Sequence, residues 1–237
     1  MQLHALLYLI MCRHPFELLV ADYLSLPKGK NGFHTVLLIL DTYSQYVWGF
    51  KLKTSSTAKT TLDRLSTITH MFWAPEMLMT DSGLHFNNGD VHAWCEVNGT
   101  KDQVTAAYAP WINGLVEGMN SHLLGQLCHL CSPRLGEDDY EHTSPDHITQ
   151  AWPNLFDTAI CQLNKHIIPT FYLSPKELLL GLIINTAAMP VLDLTTEFMP
   201  DMVSIQAAYI NQQWLDGTSC IAVHAAQQKT VFNHCVK

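Results

Sequence analysis

Three acidic side chains occur where the backbone would hold them rigidly. Asp22 closes an apolar run at 16–21, and Asp81 closes a second one at 77–80. Glu117 comes just inside a predicted helix, after a loop rich in Pro, Asn and Gly. Strand ends and helix starts can hold carboxylates a few ångströms apart. Carboxylates that lie this close together repel one another unless cations neutralise them. Clustered oxygen donors favour Mg²⁺ or Mn²⁺ over softer metals.

The chemistry that such a cluster supports is phosphoryl transfer. Two divalent ions about 3.5–4 Å apart can activate an attacking oxygen and stabilise a leaving one, so no side-chain nucleophile is required. Each acid also has an ordinary interpretation, because Asp81 before Ser-Gly can be a turn residue and Glu117 can be a first-turn helix acid. Taken together, Asp22, Asp81 and Glu117 predict a site for two Mg²⁺ or Mn²⁺ ions.

Hydrophobic periodicity predicts the elements that position these acids. Because short turns separate the first three predicted strands, we expect them to form an antiparallel meander. Ser55 or Ser56 is the predicted cap of the first helix. Strands are predicted at 16–23, 33–41, 46–52, 77–80 and 103–107, and helices around 62–72, 91–97, after Pro110, at 152–166 and at 174–181. The order βββαβαβα is typical of a mixed sheet flanked by helices.

The helix after Pro110 has an apolar stripe and a polar face. Its stripe residues recur at steps of 3, 4, 4 and 3, namely Val116, Met119, Leu123, Leu127 and Leu130. Such a stripe packs on a core. Glu117 and Asn120 lie on another face, together with Asn113 and Ser121. We therefore expect Glu117 to point to the other acids while the stripe holds the helix in place.

Four segments resemble a known family: ADYLSLP, DTYSQYVWGFKLKTSSTAKTTLDRL, LMTDSGLHF and YAPWINGLVEGMN. They resemble the catalytic core of retroviral and LTR-retrotransposon integrases, the Ty3/gypsy type most closely. The resemblance runs over residues 16–185, which is 170 of the 237 residues. It implies an RNase H-like α/β fold: a mixed five-stranded sheet, three antiparallel strands plus two parallel, flanked by helices, with a helical C-terminal extension. It maps Asp22, Asp81 and Glu117 onto the family's metal-binding carboxylates.

The resemblance also implies an activity and partners. Integrases hydrolyse a DNA end and join the exposed 3′-hydroxyl to target DNA, with two Mg²⁺ or Mn²⁺ ions. The expected partners are element ends and target DNA, with RNA as a further candidate, and further copies of the chain. After cytoplasmic synthesis such a protein acts in the nucleus. The residues expected near nucleic acid are Tyr108, Trp111, Asn113 and Asn120, with Trp111 either stacking on an unpaired base or packing in the core.

Charge argues for weak DNA binding by this chain alone. The formal net charge is −8, and nucleic-acid binders usually present a basic face. Residues 1–125 carry eight Lys/Arg and ten Asp/Glu, a net of −2, whereas residues 126–237 carry five and eleven, a net of −6. No Lys or Arg occurs between Lys101 and Arg134, so the helix of Glu117 lacks the basic residues that the family presents to DNA.

The expected organisation is an apolar leader at 1–15, the catalytic core at 16–185 and a helical tail at 186–237. The leader is too short to span a membrane and lacks a basic start, so neither secretion nor a membrane anchor is expected. Cys128-His129-Leu130-Cys131 invites a zinc interpretation. Tetrahedral zinc needs four ligands, usually in two spaced pairs, and only the distant His142 and His147 could add to it. Buried helix cysteines are the favoured interpretation, with no zinc.

Two alternatives to an active integrase core stay open. The chain could be a truncated or domesticated copy that binds nucleic acid or other partners without catalysis, which the acidic charge favours. It could also be an RNase H-type nuclease, since fold alone does not decide function. The segment WINGLVEGMN and its spacing favour integrase over the nuclease.

Overall fold

The computed structural model describes residues 12–54, 56–104, 110–132, 148–169 and 173–181, and helical stretches at 211–212, 214–220, 222–223, 226–227 and 229–230. Within the first five ranges it has five strands and five α-helices. The strands are β1 (Leu18–Ser25), β2 (Thr35–Asp41), β3 (Val47–Leu52), β4 (Met77–Thr80) and β5 (Lys101–Val104). The helices are α1 (Ala58–Met71), α2 (Gly89–Asn98), α3 (Pro110–Cys131), α4 (Trp152–Lys165) and α5 (Pro175–Leu180).

The strands form one mixed sheet in the order β3-β2-β1-β4-β5. β1 and β2 pair antiparallel, as do β2 and β3. β4 pairs parallel to β1, and β5 parallel to β4. The predicted fold, with three antiparallel strands plus two parallel ones, is therefore confirmed. Because β1 and β4 run the same way and Ala21 pairs with Thr80, the residues that follow these two positions lie next to each other.

Helices cover both faces of this sheet. On one face, α1 and α2 pack against alternate residues of β1 and β2, such as Leu19 and Ile39. On the other face, α3 and α4 pack against the intervening residues, such as Leu38. The seven residues of β2 are all buried, as expected of a central strand whose apolar run does not alternate.

Several predicted boundaries differ from the structure by a few residues. β1 runs over Leu18–Ser25 and not 16–23, so Asp22 lies inside this strand. The cap of α1 is Thr57, whose hydroxyl accepts from the backbone N–H of Thr60, and not Ser55 or Ser56. Three successive hydroxyl residues offer equivalent caps, so composition cannot choose among them. The last strand, β5, begins at Lys101 and not at residue 103, and residues 105–107 of the prediction lie outside the described residues. β5 is an edge strand with a polar, half-exposed sequence, so hydrophobic periodicity gave no signal for Lys101 and Asp102.

The start of α5 was predicted correctly. Ser174 and Glu177 form a capping box, Pro175 occupies the first turn, and Gly181 ends the helix in the left-handed conformation, with φ 64°. This combination satisfies the backbone groups at both ends of a short helix.

The helical stretches between 211 and 230 agree with the predicted helical extension. Trp214 packs with Leu18, Val20 and Met79 of the sheet, beside the area covered by α3 and α4. Its backbone carbonyl accepts a 2.7 Å hydrogen bond from the Tyr43 hydroxyl. The division at 185/186 stays a prediction. Among the described residues, no helix has both the length and the apolar character needed to cross a membrane.

Candidate active site

The parallel pairing of β1 and β4 brings Asp22, inside β1, and Asp81, just after β4, next to each other. Ala21 and Thr80 are paired on the two parallel strands, and the two acids follow them directly. Neighbouring strands are about 4.8 Å apart, so the two backbones lie within reach of one bridging ion. The Asp81 carboxylate is close enough to raise the pKa of Asp22. The sheet therefore holds two carboxylates that repel each other.

The pKa of Asp22 is raised above its usual value, mainly because the carboxyl group is partly buried. Two hydrogen bonds and His85 act in the opposite direction. The side-chain amide of Asn120 donates to Oδ2 at 2.8 Å, and the backbone N–H of Tyr23 donates to Oδ1 at 2.8 Å. These donors fix the orientation of Asp22, and a cation would relieve the remaining penalty of its charge.

Asp81 combines a turn role with its place at the site. Its Oδ1 accepts a 2.8 Å hydrogen bond from the backbone N–H of Gly83, and its side chain is 54% exposed. A Cβ at Gly83 would lie 2.9 Å from this Oδ1 and 2.8 Å from Nε2 of His85. Only glycine fits there without displacing the two side chains. The ordinary turn interpretation of Asp81 is therefore correct in geometry and compatible with metal binding.

His85 is a residue of the site that the sequence reasoning missed. Its Nε2 lies 3.6 Å from Oδ1 of Asp81 and is buried without a hydrogen-bond partner among the described residues. Its ring meets Tyr23 edge-on at 4.7 Å and Phe86 at 4.5 Å between centroids. The Thr61 hydroxyl donates to its carbonyl at 3.1 Å. The only sequence signal was its spacing of four residues from Asp81.

Helix α3 carries the third acid to the same side of the sheet as Asp22. Its stripe residues Leu123 and Leu127 are fully buried, as the periodicity predicted. Asn120 bonds Asp22, and Glu117 lies one turn earlier, at the spacing that places two residues on one helix face. The Glu117 side chain is exposed. Within the described part of the chain, no three His, Cys, Asp or Glu side chains form a group able to hold a metal ion.

The remaining predicted contact residues cannot be placed. Tyr108 lies outside the described residues. Trp111 and Asn113 belong to α3, but only its backbone is described at those positions.

The oxygen atoms of Asp22, Asp81 and Asn120 are of the chemical type that binds a hard divalent cation. Asp22 and Asp81 supply carboxylate oxygens, and Oδ1 of Asn120 is buried beside them without a hydrogen-bond partner among the described residues. An all-oxygen donor set of this type prefers Mg²⁺ or Mn²⁺. Glu117 is exposed and does not form a three-residue metal-binding group with Asp22 and Asp81 in this structure.

The cysteines of α3 suit zinc less well. Cys128 is buried in the core, and burial raises the pKa of its thiol, which opposes the thiolate form that zinc binds. Cys131 is only partly buried. His142 and His147 lie outside the described residues.

Other acids near the strands have different partners. Asp41 lies at the opposite end of β1 from Asp22 and accepts hydrogen bonds from the backbone of Phe16 and from Ser44. Asp102 on β5 contacts Nδ1 of His92. Both carboxylates therefore belong to structural networks.

The sequence of this chain is similar to a known protein family and to several viral polyproteins. Residues 13–110 match the family model of the integrase core domain. Over 187 residues the chain is 27% identical to the Pro-Pol polyprotein of Simian foamy virus type 3 (strain LK3). The aligned region is 77% of this chain. The Pro-Pol polyprotein of Feline foamy virus is 26% identical over 186 residues, again 77% of this chain. The chain spans 15% of the length of each of these polyproteins.

Solved structures agree on the fold. A chain of the simian T-cell lymphotropic virus intasome, solved by cryo-EM with a PP2A regulatory subunit, matches with a TM-score of 0.58. The match has 18% identity and covers 81% of this chain and 63% of that one. The HTLV-2 integrase catalytic core domain, solved with magnesium in a trimeric form, matches with a TM-score of 0.51 at 18% identity, covering 70% and 97%. At such identities the likeness shows an RNase H-like integrase fold. The family match over residues 13–110 and the foamy virus relatives support an integrase catalytic core of the retroviral type in this chain.

Proposed function

We propose that this chain is a polynucleotidyl transferase core that cuts and joins DNA strands by phosphoryl transfer at Asp22, Asp81 and Glu117. The observation that carries the proposal is the hydrogen bond from Asn120 to Asp22. It ties the helix of Glu117 to β1, while β1 and β4 already bring Asp22 and Asp81 together. Three segments that are far apart in sequence, β1, the end of β4 and α3, thus meet around Asp22.

The metal chemistry would divide among the three acids. Asp22 with Asp81 would hold one Mg²⁺ or Mn²⁺ ion and Asp22 with Glu117 the other, to activate an attacking oxygen and stabilise a leaving one. The chain's other groups orient these acids. The Asn120 amide fixes Oδ2 of Asp22, and the Gly83 N–H fixes Oδ1 of Asp81. Such second-sphere hydrogen bonds usually change metal affinity or activity by about 10–100-fold.

The substrates follow from the same proposal. The core would process DNA ends and join them to target DNA, which implies work in the nucleus and assembly with further copies of the chain. The magnesium-bound HTLV-2 core and the simian T-cell lymphotropic virus intasome support the metal and the assembly by analogy. We also propose an origin in an LTR retrotransposon of the Ty3/gypsy type, on the segments YAPWINGLVEGMN and LMTDSGLHF.

Strand resolution on a pre-formed branched DNA is the most favourable assay. The branched substrate already aligns the reacting groups, so it lowers the entropic cost that end joining must meet. We expect Mn²⁺-dependent release of the labelled strand by the wild type, no release by Asp22→Asn, and little or no end joining. An RNA–DNA hybrid is the competing substrate. Cleavage of the hybrid without any strand resolution would replace this proposal with an RNase H-type nuclease.

A further inference from the structure

The lysines of this acidic chain are concentrated in one part of the sequence. Between residues 24 and 62 there are five lysines and a single acid, Asp41, which is fully buried. The surface formed by this stretch is therefore basic, although the whole chain carries a net charge of −8. In contrast, α3 contains no Lys or Arg. Lysine or arginine contacts to phosphate near the candidate active site would therefore have to come from parts of the chain other than α3.

Three of these lysines lie at the same end of the sheet as Asp22 and Asp81. Ser25 pairs with Thr35, and Thr35 pairs with Leu52, so the end of β1, the start of β2 and the end of β3 are level. Lys28 and Lys30 belong to the β1–β2 connection at this end, and Lys53 follows β3 there. We call these three residues the lysine rim.

The connection that carries Lys28 and Lys30 is held firmly against the start of α4. The indole N–H of Trp152 donates to the carbonyl of Pro27 at 2.8 Å, and the backbone N–H of Lys30 donates to the carbonyl of Gln150 at 2.7 Å. A Cβ at Gly29 would lie 2.6 Å from Nε1 of Trp152, so only glycine allows this approach. The backbone between the two lysines is thus buried while both side chains are exposed.

The rim lysines are available to a partner. None of Lys28, Lys30 and Lys53 forms an ion pair with a described residue, whereas the neighbouring Lys51 is paired to Asp157 at 2.7 Å. Nζ of Lys53 lies 5.1 Å from the centroid of the Phe33 ring, a contact that leaves its charge intact. Positive charges on a fixed backbone bind an anion with little additional ordering cost.

We propose that the lysine rim is a contact surface for the phosphate backbone of DNA, which it guides toward Asp22 and Asp81. This inference rests on the proposed function, since it assigns that function a substrate-binding surface. A membrane surface fits less well, because lipid-binding surfaces combine basic with apolar side chains. The large exposed hydrophobic residues of the described chain all lie outside 24–62.

The test measures DNA binding without catalysis. Fluorescence anisotropy of a labelled branched DNA is recorded in EDTA from 25 to 200 mM salt, with Lys28→Glu/Lys30→Glu compared to the wild type. The control is Lys101→Glu/Lys229→Glu, which changes the net charge equally at two exposed positions. Lys101 pairs with Met77 and thus lies at the opposite end of the sheet. Circular dichroism establishes that each variant is folded.

We expect the rim variant to bind about tenfold or more weakly at low salt, and the control to bind within about twofold of the wild type. Each phosphate contact contributes roughly 0.7–0.9 to the slope of log K against log salt, so the rim variant should lose about 1.5 from that slope. Equal losses in both variants would reduce the effect to net charge and overturn the proposal. Unchanged DNA binding with lost binding to phosphatidylserine vesicles would replace it with a membrane surface. Because no turnover is measured, inactivity in strand resolution leaves this test unaffected.

Discussion

The side-chain amide of Asn120 donates a 2.8 Å hydrogen bond to Oδ2 of Asp22, across 98 positions of sequence. This contact joins α3 to the strand that carries the most buried acid of the candidate site. It also leaves Oδ1 of Asn120 buried without a hydrogen-bond partner among the described residues. The contact therefore positions Asp22 and leaves a further oxygen near it without a hydrogen-bond partner.

Removing this contact should reduce activity more than stability. We expect Asn120→Ala to lower the rate of strand resolution by about 10–100-fold, the usual effect of losing a second-sphere partner. The matched control is Asn98→Ala, which removes a 2.8 Å hydrogen bond to the carbonyl of Trp94 on α2. Rates on branched DNA and melting temperatures measure both variants. Equal rates for Asn120→Ala and the wild type would mean that the contact has no part in catalysis.

Neutralising Asp22 should stabilise the metal-free protein. Burial raises the pKa of Asp22, so in the folded state its charged form is disfavoured and stability falls as the pH rises through that pKa. Asp22→Asn removes this loss. We expect a higher melting temperature for Asp22→Asn than for the wild type in EDTA near neutral pH. The difference should vanish at pH values below the pKa of an unfolded Asp.

The control for that experiment is Asp63→Asn, because Asp63 is exposed on α1. Its melting temperature should follow the wild type across the pH range. A lower melting temperature for Asp22→Asn than for the wild type would show that the hydrogen bonds from Asn120 and Tyr23 outweigh burial.

Divalent metal should stabilise the wild type through the same acids. Binding to the folded state alone raises the melting temperature, and the rise should be small without DNA because such Mg²⁺ sites use substrate phosphates for part of their shell. Asp81→Asn should remove the rise with Mn²⁺. Thermal melting with and without metal measures it. Stabilisation by Zn²⁺ that survives Asp81→Asn and disappears with Cys128→Ser would instead favour a site at Cys128 and Cys131.

The placement of Asp22 next to Asp81 was partly predictable because local patterns encode it. An apolar run precedes each acid and predicts a strand there, although β1 continues past Asp22 to Ser25, and the stripe of Leu123 and Leu127 fixes the orientation of α3. His85 was not predictable in this way. Its position depends on edge-on packing with Tyr23 and Phe86, which is a property of the folded core and not of the spacing in sequence.

His85 should matter for activity and not for stability. A buried nitrogen without a hydrogen-bond partner costs about 1–3 kcal/mol, so an apolar ring of similar size need not destabilise the fold. We expect His85→Phe to keep or raise the melting temperature and to lower the strand-resolution rate by roughly tenfold. The reason is that Nε2 lies 3.6 Å from Oδ1 of Asp81, one of the proposed metal-binding acids. A wild-type rate for His85→Phe would assign His85 to packing alone.

One comparison of rates tests most directly whether Glu117 acts together with Asp22 and Asp81 in phosphoryl transfer. Mn²⁺-dependent strand resolution is measured for the wild type, Glu117→Gln and Glu96→Gln, the last being an exposed helix glutamate on α2. Both substitutions keep the side-chain size and remove one charge. We predict that Glu117→Gln melts at the wild-type temperature and loses at least about 100-fold in rate, while Glu96→Gln keeps the wild-type rate. Equal rates for all three proteins would exclude this role of Glu117 and favour a chain without this catalysis.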